Sequence, residues 1–91
     1  SKNPKTNKAS VKFITTNKTG SLAEVLCILS KYDLNLSKIQ SMPIIDRPWK
    51  YAFFVDFTFN SYIDYSSAMQ EVKDKVLFLN VLGEYIKSMH S

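Results

Sequence analysis

Residues 51–59 read Tyr51-Ala52-Phe53-Phe54-Val55-Asp56-Phe57-Thr58-Phe59, and this stretch decides the fold. With the period of two of an extended chain, Tyr51, Phe53, Val55, Phe57 and Phe59 all fall on one side of a strand. Five large apolar residues on one face require a covering layer, whereas Ala52, Phe54, Asp56 and Thr58 on the other face are mixed in character.

Both candidate layers lie in the flanking sequence. Downstream, Asn60 and Ser61 offer a helix start with Asp64 near its positive end, and Tyr65, Ala68, Met69, Val72 and Val76 make an apolar helical stripe. A last apolar segment, residues 77–86, follows as a strand. Upstream, Pro43 and Pro48 close a connection, and before it residues 34–43 (LNLSKIQSMP) read as a strand whose alternation breaks between Leu36 and Ile39, the sign of a bulge. Leu22, Val25, Leu26 and Leu29 recur at the spacing of one helical face. Ser21 to Glu24 fits a capping box, with serine at the cap and glutamate three residues on. That helix is expected to end near Tyr32 and Asp33. Ahead of it, Val11 and Phe13 alternate with Lys12 in a first strand over residues 9–17, which stops at an Asn-Lys-Thr-Gly turn signal.

The order is βαββαβ. Its packing solution is an α+β, ferredoxin-like domain: a four-stranded antiparallel sheet with two helices on one face and the first and third strands in the centre. The expected organisation is a polar lead-in over residues 1–8, one domain over residues 9–87 and a short tail over residues 88–91.

Composition narrows the function. The chain has 91 residues, 45% apolar and 13% aromatic, enough for one small core whose stability gains from a partner. The net charge of +4 comes largely from three lysines in residues 1–8; the remainder holds nine basic against eight acidic residues. A near-neutral body and a single aromatic, Phe54, on the far face of the third strand argue against a nucleic-acid platform. No apolar run is long enough to span a bilayer, so no membrane role is expected, and the cytoplasm is the expected location. One cysteine, Cys27, and one histidine, His90, provide neither a disulfide nor a metal set, and no cofactor motif is present. Cys27 reads as a small hydrophobe beside the first helix's stripe, and Glu71 and Asp74 as an ordinary solvated face. Catalysis is not expected of this chain. Binding is better supported: a loop running into a capped helix, with Gly20 allowing close approach to the backbone, suits a carboxylate, although on the pattern alone the plainer reading is favoured, in which Gly20 only makes a tight turn and Ser21 only caps the helix.

Several motifs in a fixed order extend this reading. They are the Asn17-Lys18-Thr19-Gly20-Ser21-Leu22 loop, Gln40-Ser41-Met42-Pro43 on the second strand, Pro48-Trp49-Lys50-Tyr51 leading into the third, and Leu82-Gly83-Glu84-Tyr85 at the end. Together they resemble the C-terminal regulatory ACT domain of prephenate dehydratases, in which the second motif stands as Glu-Ser-Arg-Pro and the loop carries Pro-Gly-Ala-Leu. Here Gln40 and Met42 replace the two charged members, and Thr19 and Ser21 replace proline and alanine.

The resemblance implies a feedback sensor of phenylalanine biosynthesis. In it, L-phenylalanine binds where two such domains pair side by side in a homodimer and inhibits an upstream catalytic domain, a lyase outside this chain. It further implies that the ligand carboxylate lies on backbone amides around Gly20, Ser21 and Leu22, flanked by Asn17 and Thr19, and that Asn35 takes the ammonium. Leu22 and the neighbouring copy's Ser41, Met42 and Pro43 stretch would enclose the ring, with Gln40 also counted in the ligand site. The alternative that the residues leave open is a dimerisation module without a ligand.

Overall fold

The structure, a computed structural model, describes residues 7–16 and 18–85, with backbone only at Lys18, Thr19 and Pro48. His90, Asn17, most of the lead-in and the C-terminal tail lie outside the described residues. In chain order the elements are β1 (Lys8–Thr15), α1 (Lys18–Lys31), β2 (Asn35–Ile44), β3 (Arg47–Thr58), α2 (Tyr62–Lys75) and β4 (Phe78–Tyr85). All pairings in the sheet are antiparallel, and the strand order is β2-β3-β1-β4. The βαββαβ expectation and the central placement of β1 and β3 both hold.

The aromatic strand organises the core. Phe53, Val55, Phe57 and Phe59 are buried on the helix-bearing face. The register puts Phe53 beside Phe13 and Val55 beside Val11, and the rings of Phe13 and Phe53 stack at 5.1 Å. From α2 come Tyr65, Ala68 and Val72, with the Tyr65 ring stacked on Phe59 at 4.5 Å. Ser61 caps α2 as expected, its Oγ accepting from the Asp64 amide at 3.4 Å.

The first helix differs from expectation at its start. It begins at Lys18, so Ser21 is its fourth residue and nearly buried instead of capping it. Of the Asn-Lys-Thr-Gly stretch, taken as a turn, Lys18, Thr19 and Gly20 belong to the helix, because each residue added to a helix already nucleated gains a backbone hydrogen bond. Its apolar stripe also shifts: Ile28 is buried and Leu26 is partly exposed, since the face pressed on the sheet runs through Val25, Ile28 and Leu29. Cys27 is exposed, not the buried hydrophobe expected of it. The helix ends in a Schellman motif, with Leu34 N donating to Leu29 O at 2.8 Å and Asp33 N to Ser30 O at 3.0 Å, while Asp33 takes the left-handed φ of 63° usually given to glycine.

Two strand details correct the sequence reading. The bulge in β2 is present, as a register shift between Leu36 and Lys38. The connection bounded by prolines is a tight hairpin: β2 runs to Ile44, β3 starts at Arg47, and Asp46 supplies a φ of 72° at the tip. Prolines are tolerated there because β2 is an edge strand, and a register slip beside Ile44 leaves Pro48, Trp49 and Lys50 with no partners on β2. The lead-in also ends sooner than expected. Lys8 belongs to β1, and Asn7 donates to Tyr85 O at 3.0 Å while its carbonyl accepts from Phe59 N at 2.9 Å.

Candidate functional site

The start of α1 follows directly on the end of β1, where Thr15 lies in register with Tyr51 and Tyr51 with Pro43. Gly20, Ser21 and Leu22 therefore stand at the same end of the domain as Ser41, Met42 and Pro43. Among the described residues the buried polar ones are Thr15 and Ser21, and both lie here. Thr15 escaped the sequence reading because it looks like the polar end of a strand; its odd-numbered position in phase with Val11 and Phe13 was the available signal.

Strand parity divides the second motif. Ser41 and Pro43 are in register with Phe53 and Tyr51 on the helix-bearing face, whereas Gln40 and Met42 pair with Phe54 and Ala52 on the open face. The two positions where the charged residues of the related motif are missing thus point away from the start of α1. Asn35 is not with the others. It pairs with Thr58 at the far end of the sheet, separated from Gly20 by nearly the whole of α1, or roughly 20 Å at 1.5 Å per residue. One chain cannot bring Asn35 and the helix start to one small ligand.

The β2 edge explains how two chains could. All but the last of its ten residues are exposed, and Lys38 is the only charged side chain along it. A long edge with so little charge invites pairing. Beside it, Leu36 and Ile39 on the helix-bearing face and Leu26 on α1 are about two-fifths exposed. Leu22 and Leu26 follow one line of α1, away from Lys31 and Tyr32, which reach α2. An apolar strip therefore runs along the edge from Leu22 to Leu36.

Elsewhere the polar groups are structural. Glu71 accepts from Tyr32 Oη and from Lys31 Nζ at 3.1 Å, joining the two helices, a specific contact that the solvated-face reading missed. The Tyr32 hydrogen bond, then that of Lys31, holds the Glu71 carboxyl below the usual range, yet the pair is exposed and adds little stability. In β4 a register shift leaves Leu82 unpaired and turns Glu84 to the helix-bearing face, opposite Ala9. There it accepts from Tyr65 Oη at 2.6 Å and from Tyr62 Oη at 3.2 Å. No sequence signal announces that bulge. Gly83 keeps the open face clear for Tyr85, whose hydroxyl would lie 2.3 Å from a Cβ at position 83.

Burial first, and then the hydrogen bond to Glu84, pushes the Tyr65 phenol far above its ordinary value near 10. An unfolded chain gives up that proton above pH about 10 while the folded one retains it, so stability from this group is complete below that pH and falls as pH rises. Urea midpoints measured from pH 8 upward should decline through the alkaline range. Tyr65→Phe, which costs about 1 kcal/mol at neutral pH, should flatten the decline.

Comparison with known proteins adds the family. The model of the family described as "ACT domain" matches residues 9–74. The chain belongs to the ACT domain family. This ACT domain is 36% identical over 84 residues to a bifunctional chorismate mutase/prephenate dehydratase of Aquifex aeolicus, a match covering 91% of this chain and 23% of that protein. It therefore spans about a quarter of the length of that relative. Among solved structures it resembles a prephenate dehydratase of Arthrobacter aurescens in complex with L-Phe, with a TM-score of 0.80 at 21% identity, over 96% of this chain and 29% of the other. It also resembles GqqA, a quorum-quenching acylase, with a TM-score of 0.84 at 19% identity, over 97% of this chain and 32% of the other. At such identities the two likenesses establish the fold of this ACT domain. Among its described residues, no helix is long and apolar enough to cross a membrane.

Proposed function

We propose that this ACT domain senses L-phenylalanine at the junction of two copies of itself and restrains a prephenate dehydratase catalytic domain carried upstream in a cytoplasmic parent protein. The observation that carries this reading is the unpaired β2 edge with its apolar strip next to the start of α1. An antiparallel self-pairing centred on Ile39 sets Asn35 of one copy opposite Pro43 of the other, bringing it to the end where α1 begins. The carboxylate then lies at the positive end of α1, beside Gly20, and the ammonium meets the main-chain carbonyl at Asn35 of the second copy, whose side chain shares the open face with Thr58. Ser21 contributes as a buried wall and not through its amide, because it already stands one turn into the helix. Leu22, Ser41 and Pro43 enclose the ring, while Gln40 and Met42 belong to the open side of the pairing. The relative named with L-Phe in its structure and the prephenate dehydratase relatives support the choice of ligand and parent.

Calorimetry with L-phenylalanine, L-tyrosine and D-phenylalanine, alongside light scattering, tests the reading. Stereoselective heat from a dimer is the expected result, and Gly20→Val should abolish it while leaving the dimer folded. A dimer giving no heat at two temperatures and no shift in melting temperature with any of the three would mean a pairing module without a ligand. Undiminished affinity in Gly20→Val would remove the helix start from the site.

A further inference from the structure

We propose a second ligand site in this chain, for an apolar carboxylate without an ammonium group, in the groove between the β2–β3 hairpin and the start of β4. The groove holds about 410 Å³ and is lined by Ile14, Ile44, Arg47, Lys50, Leu77 and Phe78. Its floor is built by the sheet: Ile14 and Phe78 are in register across β1 and β4, and Leu77 N donates to Ile14 O at 2.8 Å. Its wall is built by the hairpin, where the register slip at Ile44 sets Lys50 free of β2 and brings it to the same groove as Arg47.

Chemistry selects the ligand. Two cations border an apolar floor, no acidic residue lines the groove, and neither Arg47 nor Lys50 has an ion pair among the described residues. Such a wall attracts a carboxylate, and a guanidinium holds it through paired hydrogen bonds. With two cations and no carboxylate in the lining, an ammonium there meets like charge without compensation, so an amino acid is a worse ligand than its deaminated counterpart. The volume falls within the range of about 300 to 1,000 Å³ usual for small-molecule pockets. The floor, Ile14 and Phe78, is on the open face, so this site is separate from the amino-acid site at the start of α1.

The probe is 3-phenylpropanoate, which keeps the ring and carboxylate of phenylalanine and lacks its ammonium. Titrated into the 91-residue chain and followed by amide NMR, it should give saturable shifts at Ile14, Leu77 and Phe78 with a dissociation constant on the order of 1 mM, as befits so small a ligand. Saturating L-phenylalanine should leave those shifts in place. The doubly substituted Arg47→Gln, Lys50→Gln chain should bind roughly tenfold more weakly with its spectrum otherwise intact, and 2-phenylethylamine should bind at least as weakly. Absence of saturable shifts at these amides, competition by L-phenylalanine, or equal affinity in the doubly substituted chain would each overturn the proposal.

Discussion

Ile39→Lys will yield a folded monomer that no longer binds L-phenylalanine. Ile39 lies on the helix-bearing side of an edge strand, in register with Val55, and is 41% exposed in the single chain. In a two-fold pairing centred on this residue, the two Ile39 side chains meet, so each substitution acts twice. Loss of the buried apolar surface contributes about 1.5 to 3 kcal/mol per side chain, and two facing ammonium groups add repulsion. A total of roughly 4 to 6 kcal/mol weakens the dimer by about a thousandfold or more. The monomer itself tolerates the change, because lysine on an edge strand remains in water. Light scattering should show the mass halved, and calorimetry should lose the heat of binding in step, since Asn35 of the second copy is no longer present. An unchanged dimer would place the interface elsewhere.

Phe57→Ala should bring the domain close to unfolding at ordinary temperature. Phe57 is fully buried in the central strand, beside Ala9 in register, with the rings of Phe59 at 6.4 Å and Tyr65 at 5.8 Å. Truncating a buried phenylalanine costs about 3 to 5 kcal/mol, of which part is the cavity that a sheet packed under two helices cannot close. A domain of this size has roughly 5 to 10 kcal/mol in all, so the melting temperature should fall by roughly 15 to 30 °C. Circular dichroism on heating measures it, and a fall of only a few degrees would mean that the core repacks freely around position 57.

The two results probe the parts of the molecule that were most and least legible in the sequence. Period-two alternation in residues 51–59 is a strong signal because a central strand packs on one side only, and from it the element order and the covering helices followed. The start of α1 was misjudged because Ser21 and Glu24 satisfy a local capping pattern, whereas the chain takes one more turn of helix ahead of them. Leu26 and Ile28 exchanged roles for a related reason: periodicity locates an apolar stripe only to within one position, and the packing of Val25, Ile28 and Leu29 on the sheet sets the rotation. The residues quoted for the site could not be sorted in space from the sequence. Parity alone divides Ser41 and Pro43 from Gln40 and Met42, and the length of α1 alone removes Asn35 to the far end. The unpaired Leu82 that turns Glu84 inward had no local signature at all.

Asn7 enters the sheet next to Tyr85, at the end opposite to where α1 begins. In the proposed sensor, an enzyme attached ahead of Asn7 is therefore joined to the domain about eight residues of strand, or roughly 27 Å along β1, away from the effector. That strand is hydrogen-bonded on both sides, which stiffens it against bending. In the proposed sensor the domain then acts as a stiff arm. On the proposed reading, an effector seated between two such arms acts on the angle across their shared edge, and at the enzyme a small hinge rotation becomes a displacement multiplied by the arm's length.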